Sequence, residues 1–463
     1  MEKKETPNGI DVGSLRSLEL NTSSTIELTG VIYDSKEKQL NEEKGSQEIQ
    51  KVHPTSDFDA LLHVVKSSLG SGLLAMSDGF KNAGTVVGLV GTVFVGILCT
   101  HCTYVMVKCS QDMCRMLNKP FLGYTETVEQ SFLYCANKRF SKYAGFVRNC
   151  VEGSMFFTYY GVNTVYIILV SNSFQSIIEK EFDIHYDIRV YICAFAIPFF
   201  LVGIVRNMKF LVPFSAIANV LLFVGLCLTF YYLFTDLPPI SSRPVAVKLT
   251  QFPLFFSTVL FGMEGIGTML PIENSMKKPK HFLGCPGVLT IAMTIVVSLF
   301  CGLGLFGYVK YGEETEANIT LNLPGDALAQ SVKILVALAV LFSYGLQLAA
   351  SMDVVWKRVQ HRFDKSNETK RYYQVRAGMI IGTVILALAV PNLGPVISLI
   401  GAVGFSMCGF FFPALCETII CWEKGFGKWN YILWKNIFLG IVAILAVVSG
   451  SITSMADIIA EYS

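Results

Sequence analysis

The sequence predicts an all-α polytopic membrane protein of about eleven transmembrane helices. Three observations lead there. Of 463 residues, 52% are hydrophobic and only 16% charged, against about 25% charged in soluble proteins. Apolar runs recur from Asp57 to the C-terminus, many of them near the roughly 20 residues that span a bilayer. The loops between these runs alternate between basic and acidic, the pattern of the positive-inside rule.

The expected spans cover residues 58–80, 85–109, 145–175, 188–206, 211–234, 252–275, 286–309, 328–351, 374–392, 394–420 and 431–453. Basic residues follow the even-numbered spans. Arg115, Lys119 and Lys142 come after span two, Lys277, Lys278 and Lys280 after span six, and Lys357, Arg358 and Arg362 after span eight. The intervening loops hold Glu179, Glu181, Asp183 and Asp187, then Glu313, Glu314, Glu316 and Asp326. This polarity predicts a cytoplasmic N-terminus. An odd span count then sends the C-terminus, residues 456–463, to the other side. Residues 1–56 are polar and mixed in charge, which reads as a disordered cytoplasmic tail. They contain no apolar core of a signal peptide. Residues 57–455 form the transmembrane domain.

Composition also excludes functions. A net charge of +2 gives no electrostatic case for nucleic acid. The 13 cysteines lie in apolar runs or in segments expected in the cytoplasm, where thiols stay reduced. They read as small packing residues, with no disulfide and no zinc spacing. No nucleophile elbow or P-loop appears, so no enzyme activity and no metal or organic cofactor is expected. Asn318-Ile-Thr320 is a glycosylation sequon on an outer loop. Asn21-Thr-Ser23 and Asn367-Glu-Thr369 match the pattern on the cytoplasmic side.

Some membrane residues are poor lipid contacts. Gly70-Ser71-Gly72 lies within span one, where each Gly costs about 1 kcal/mol relative to Ala. Either the small residues let helices pack closely, or the helix breaks and turns its free amides to a ligand, as transporters do near the midplane. Phe261-Gly-Met-Glu-Gly-Ile-Gly267 interrupts span six in the same manner. Two interruptions five spans apart suggest inverted repeats, spans one to five and six to ten, with span eleven appended. Glu264 stands inside the second interruption. A carboxylate at the bilayer centre costs at least about 2.5 kcal/mol, so Glu264 is a candidate proton carrier, or else a structural acid bonded to a neighbour. His63 and Lys66 precede the first interruption. A membrane His can exchange protons near neutrality, and it can also simply pack. Asp78, at the end of span one, reads as solvent-exposed. Tyr159, Tyr160, Asn163, Ser343, Tyr344 and Gln347 either line a polar cavity or bond between helices.

These stretches resemble the proton-coupled amino acid transporters, a branch of the amino acid/auxin permease family. The resemblance rests on His63-Val-Val-Lys66, Gly70-Ser-Gly-Leu-Leu74, Lys81-Asn-Ala-Gly84, His101-Cys102, Phe252-Pro-Leu-Phe-Phe256, Glu264-Gly-Ile-Gly267, Leu270-Pro-Ile-Glu-Asn274, Ile319-Thr-Leu-Asn-Leu-Pro324 and Tyr344-Gly-Leu-Gln347. It implies a leucine-transporter-type fold, a 5+5 inverted repeat plus one helix. It also implies symport of small neutral amino acids such as alanine, glycine and proline, with protons as the coupling ion. Gly70, Ser71 and Gly72 are then expected to hold the substrate carboxylate. Phe261, Gly265 and Gly267 fall on the span-six half of the site. His63 falls on a position linked to proton coupling, and Glu264 on the span-six acid. Ser77 and Ser351 stand where the family usually has Pro, with Asp78 and Asp353 nearby. The loops at 176–187 and 311–327 lack the cysteines of a disulfide found in some members. The plasma membrane and the late endosome–lysosome membrane both suit this function. So does an alternative role as an amino acid sensor whose N-terminal tail contacts a cytoplasmic nutrient-signalling complex.

Overall fold

In hydrocarbon, backbone N–H and C=O groups must bond within their own segment, and the apolar runs accordingly close into helices. The computed structural model describes residues 55–463 except 135–137, 184, 207, 264, 285, 365–366 and 463. The expected tail therefore lies almost wholly outside the described residues, as do Glu264, Cys135 and Cys285. Span one is divided into α1 (Asp57–Ser68), α2 (Ser71–Leu74) and α3 (Met76–Lys81). Span two is α4 (Thr85–Leu117), followed on the basic side by α5 (Tyr124–Leu133) and α6 (Lys138–Ser141). Spans three, four and five are α7 (Ala144–Phe182), α8 (Ile188–Gly203) and α9 (Met208–Phe234). Span six is divided into α10 (Phe252–Met263) and α11 (Ile266–Ser275). Spans seven, eight and nine are α12 (Val288–Tyr311), α13 (Ala327–Val359) and α14 (Glu368–Ala389). Span ten runs from α15 (Leu393–Ile400) to α16 (Phe412–Lys424), and α17 (Tyr431–Tyr462) is span eleven.

Among the described residues, 9 helices are long and apolar enough to cross a membrane, and Ile188–Gly203 is a shorter apolar one. With the divided first span they make the expected number of crossings. Several helices outrun their expected limits. Span three reaches Phe182 and span eight reaches Val359, because the hydrogen-bond ladder continues into water after apolar side chains stop. Apolar length sees only the hydrocarbon part.

The interruption in span one is a true break. Leu69 N–H still bonds Val65 O at 3.0 Å, but Gly70 is extended, at φ −96° and ψ −159°. In span six, α11 restarts after Gly265, at φ −117° and ψ 13°. The two breaks meet. A Cβ added to Gly72 would lie 2.4 Å from Gly262 Cα, and one added to Gly262 would lie 2.4 Å from Phe300 Cε1. Backbone thus touches backbone, which satisfies the close-packing reading as well as the broken-helix reading. Span ten adds a third irregular stretch, π-helical over Gly401–Phe405 and Met407–Phe411. A Cβ on Gly401 would lie 2.0 Å from Ser257 O of α10. No local sequence pattern announces this π-helix, which recurs at functional sites.

The unusual C-terminal end of span one is held on several sides. Ser77 is fully buried and donates to Leu303 O of span seven at 2.9 Å. Asp78 is not the solvent-exposed acid expected. Its side chain is 16% exposed and pairs with Lys81 at 3.3 Å, while Lys81 donates to Thr315 O at 2.7 Å. Neighbouring span packing, invisible to a local reading, encloses it. Ser351 is buried and donates to Leu348 O within its own helix. The sequon is also altered by the fold. Asn318 is 0% exposed, and its Oδ1 accepts from the N–H and hydroxyl of Thr320. Its amide nitrogen is buried too.

Gly72→Ala and Gly262→Ala are expected to destabilise the protein by about 1–3 kcal/mol each through overpacking. Gly70→Ala meets nothing within 4 Å and is expected to leave stability nearly unchanged. Thermal unfolding of the purified variants in detergent checks the contrast.

Candidate functional site

The breaks open onto a cavity of about 120 Å³ bounded by spans one, three, six, eight and ten. Span one contributes Ser67, Ser68, Gly70, Ser71 and Gly72, and span six contributes Phe261, Gly262, Gly265, Gly267 and Thr268. The six residues expected to bind substrate, Gly70, Ser71, Gly72, Phe261, Gly265 and Gly267, therefore share one cavity wall. Their gathering follows from the meeting of the two breaks at Gly72 and Gly262.

The lining also includes residues beyond these six. Span three supplies Met155, Thr158, Tyr159, Val162 and Tyr166, span eight Gln347, span ten Phe405 and Cys408, and α5 Tyr124. The polar residues noted in spans three and eight divide cleanly. Tyr159 and Gln347 face the cavity. Tyr160 instead donates to Met379 O at 2.9 Å, Asn163 to Tyr159 O at 2.8 Å and Ser343 to Ala339 O at 2.9 Å, while Tyr344 bonds Thr383. Phe261 and Phe405 meet edge to face, with centroids 5.7 Å apart. Tyr124 donates to Cys408 O at 2.5 Å, which ties the basic-side helix α5 to the π-helical stretch. Tyr124 was invisible to span-based reading because it lies in a loop helix.

No described lining residue carries an ionised side chain. Charge on a ligand must therefore meet backbone and hydroxyl dipoles. Helix ends provide both signs: the first amides of a helix and its last carbonyls lack partners within it, and the macrodipole reinforces them. The starts of α2 and α11 and the ends of α1 and α10 all lie at this cavity. Ser68 Oγ is buried without a protein partner. By contrast, Thr268 Oγ1 donates to Gly265 O at 2.7 Å and Ser67 Oγ to Val64 O at 2.9 Å. The wall residues Ser67, Ser68, Gly267 and Thr268 lie on the basic-side halves of their spans, and Tyr124 enters from that side. The cavity thus extends toward the basic face.

The two expected proton residues are placed differently. His63 is exposed on α1 and is not part of the cavity wall, where Ser67 and Ser68 of the same helix stand instead. Glu264 lies outside the described residues, although its chain neighbours Met263 and Gly265 bound the break. Lys66 is likewise exposed.

Residues 53–455 match the family described as transmembrane amino acid transporter protein. The chain is 39% identical over 412 residues to the proton-coupled amino acid transporter-like protein pathetic of Drosophila melanogaster, across 89% of this chain and 87% of that one. It is 21% identical over 415 residues to the probable amino acid transporter skat-1 of Caenorhabditis elegans, across 87% of this chain and 90% of that one. With a match over nearly the whole membrane domain, the chain belongs to the transmembrane amino acid transporter family, whose members are not enzymes.

Proposed function

We propose that this protein is a proton-coupled symporter of small neutral amino acids, of the alanine, glycine and proline class. The observation that carries this reading is a cavity of about 120 Å³, uncharged among its described lining residues, set between broken-helix ends of both polarities. A zwitterion places its carboxylate on the amides at Gly70–Gly72 and its ammonium on the carbonyls ending α10. The small volume and the rings of Phe261, Tyr159 and Phe405 favour short side chains. The basic face is cytoplasmic, so the cavity described here opens inward and the N-terminus lies in the cytoplasm. Protons are taken up from the opposite, acidic compartment, whether outside the cell or in a late endosome or lysosome. Glu264, next to the cavity in sequence, holds the proton during substrate binding. His63, away from the cavity, acts on the proton path rather than on the substrate.

A second reading, amino acid sensing with little flux, draws on the outer end of span one. Ser77 bonds span seven, and Lys81 clasps both Asp78 and Thr315. An outer half-helix held this way opens reluctantly. The N-terminal tail then carries the signal to a cytoplasmic complex.

Each unit of proton gradient supplies about 1.4 kcal/mol per proton, so uptake of labelled alanine or proline in oocytes is expected to rise at acidic external pH with an inward current. Uptake that ignores pH would sink the coupling. Binding without uptake favours the sensor. Gly267→Ala places a Cβ 1.9 Å from Tyr159 Oη and is expected to lower uptake at least about tenfold (about 1.4 kcal/mol) at equal surface expression. Lys81→Ala removes the clasp and is expected to raise the transport current, measured by voltage clamp at matched expression.

A further inference from the structure

Spans two and six end side by side on the basic face, and each leads into a turn that carries cations. Gln111 of span two donates to the Glu273 carboxylate of α11 at 2.8 Å, and Glu273 is buried. Span two closes on Asn118, in the left-handed conformation at φ 53° and ψ 36°, which Asn tolerates just past a helix end. The N–H groups of Asn118 and Lys119 both bond Cys114 O, so the backbone of Lys119 is fixed, and Pro120 follows it. After α11, Pro279–His281 forms a short helical turn. Phe282 behind it is fully buried, and His281 Nδ1 meets Asp57 Oδ2 of α1 at 2.7 Å. Lys280 therefore stands on an anchored turn.

Between these two turns lies a cavity of about 430 Å³. Arg115, Lys119 and Lys280 line it, together with the neutral donors Asn118 and Asn274. Glu273 shares the wall, so three cations stand against one acid, and that acid already accepts from Gln111. Asp112, beside them on span two, is 3.6 Å from Arg115 and 3.9 Å from Lys424. Among the described residues, neither the Lys119 nor the Lys280 ammonium has a hydrogen bond or an ion pair. Basic residues near helix C-termini complement the macrodipole, and basic loops set topology. Neither effect requires cations from two separate loops to converge on one concavity. In a net positive site the attraction grows with the charge of the ligand, which favours a polyvalent anion. The cavity lies where two spans end, the level of lipid headgroups, and basic pockets between spans suit phosphorylated ones.

We propose that the phosphorylated headgroup of an inositol lipid binds this cavity, with its phosphates on Arg115, Lys119 and Lys280. The site is distinct from the amino acid cavity but shares α11 with it. Gly267 and Thr268 at the start of that helix line the one, and Glu273 and Asn274 at its end line the other. Binding here does not depend on which amino acid is carried or on proton coupling.

The probe is dioctanoyl phosphatidylinositol bisphosphate, added to the purified full chain in detergent during thermal unfolding at constant pH and ionic strength. A ligand that binds the native state raises its stability in a saturable way. The wild type is expected to show such a rise. Inositol trisphosphate, a headgroup without acyl chains, is expected to need at least about tenfold more (about 1.4 kcal/mol), and inorganic phosphate is expected to give no rise. Lys119→Gln combined with Lys280→Gln, both at exposed turn positions, is expected to weaken apparent lipid affinity at least about tenfold. Lys357→Gln combined with Arg362→Gln removes the same charge from another loop of the basic face and is expected to leave the response intact. Equal loss in both double variants, or equal protection by dioctanoyl phosphatidylserine, would reduce the effect to bulk charge and overturn the site. A wild type indifferent to the inositol lipid would overturn it as well. Equal potency of inositol trisphosphate would overturn a membrane lipid as the source of the headgroup.

Discussion

The contact on which the site depends is the meeting of two backbones, at Gly72 in span one and Gly262 in span six. A Cβ at either position would collide, with Gly262 Cα in one case and Phe300 in the other. Only because both side chains are absent do the two broken helices approach closely enough to share one cavity. Helix breaks in hydrocarbon leave polar backbone groups that need partners or a protein-enclosed space. Bringing the breaks together provides that space at one place.

The same geometry explains how an uncharged wall can suit a charged ligand. A lysine and a carboxylate at the midplane would each need desolvation compensated by a partner. Helix ends supply partial charges already fixed in place, and their cost is met when the helices fold. Small residues therefore dominate the spans-one-and-six wall, while spans three, eight and ten supply the rings and hydroxyls that give the cavity its shape. Gly404 and Gly267 make room for Thr158 and Tyr159, so the glycines serve side-chain placement as well as backbone approach.

Among the described residues, no charged side chain lines this cavity. The C-terminal end of span one carries Asp78 and Lys81 in a clasp with the loop at Thr315, and Lys333 of span eight donates to Ser176 of span three. Spans three and eight, by contrast, are long continuous helices packed along each other.

How far the sequence alone reached follows from which interactions are local. Apolar length and loop charge determined the helical membrane fold and the order of spans, because both reflect the bilayer acting on each segment separately. Small residues inside apolar runs likewise marked the interruptions at Gly70–Gly72 and within Phe261–Gly267. The sequence did not separate Tyr159 from Tyr160 or Gln347 from Tyr344, since neighbouring positions on a helix face different partners and rotation about the helix axis is set by packing. Nor did it find Tyr124, the π-helix of span ten, the enclosure of Asp78 or the burial of Asn318. Each of these depends on atoms far away in the chain, and only the tertiary structure brings them within reach.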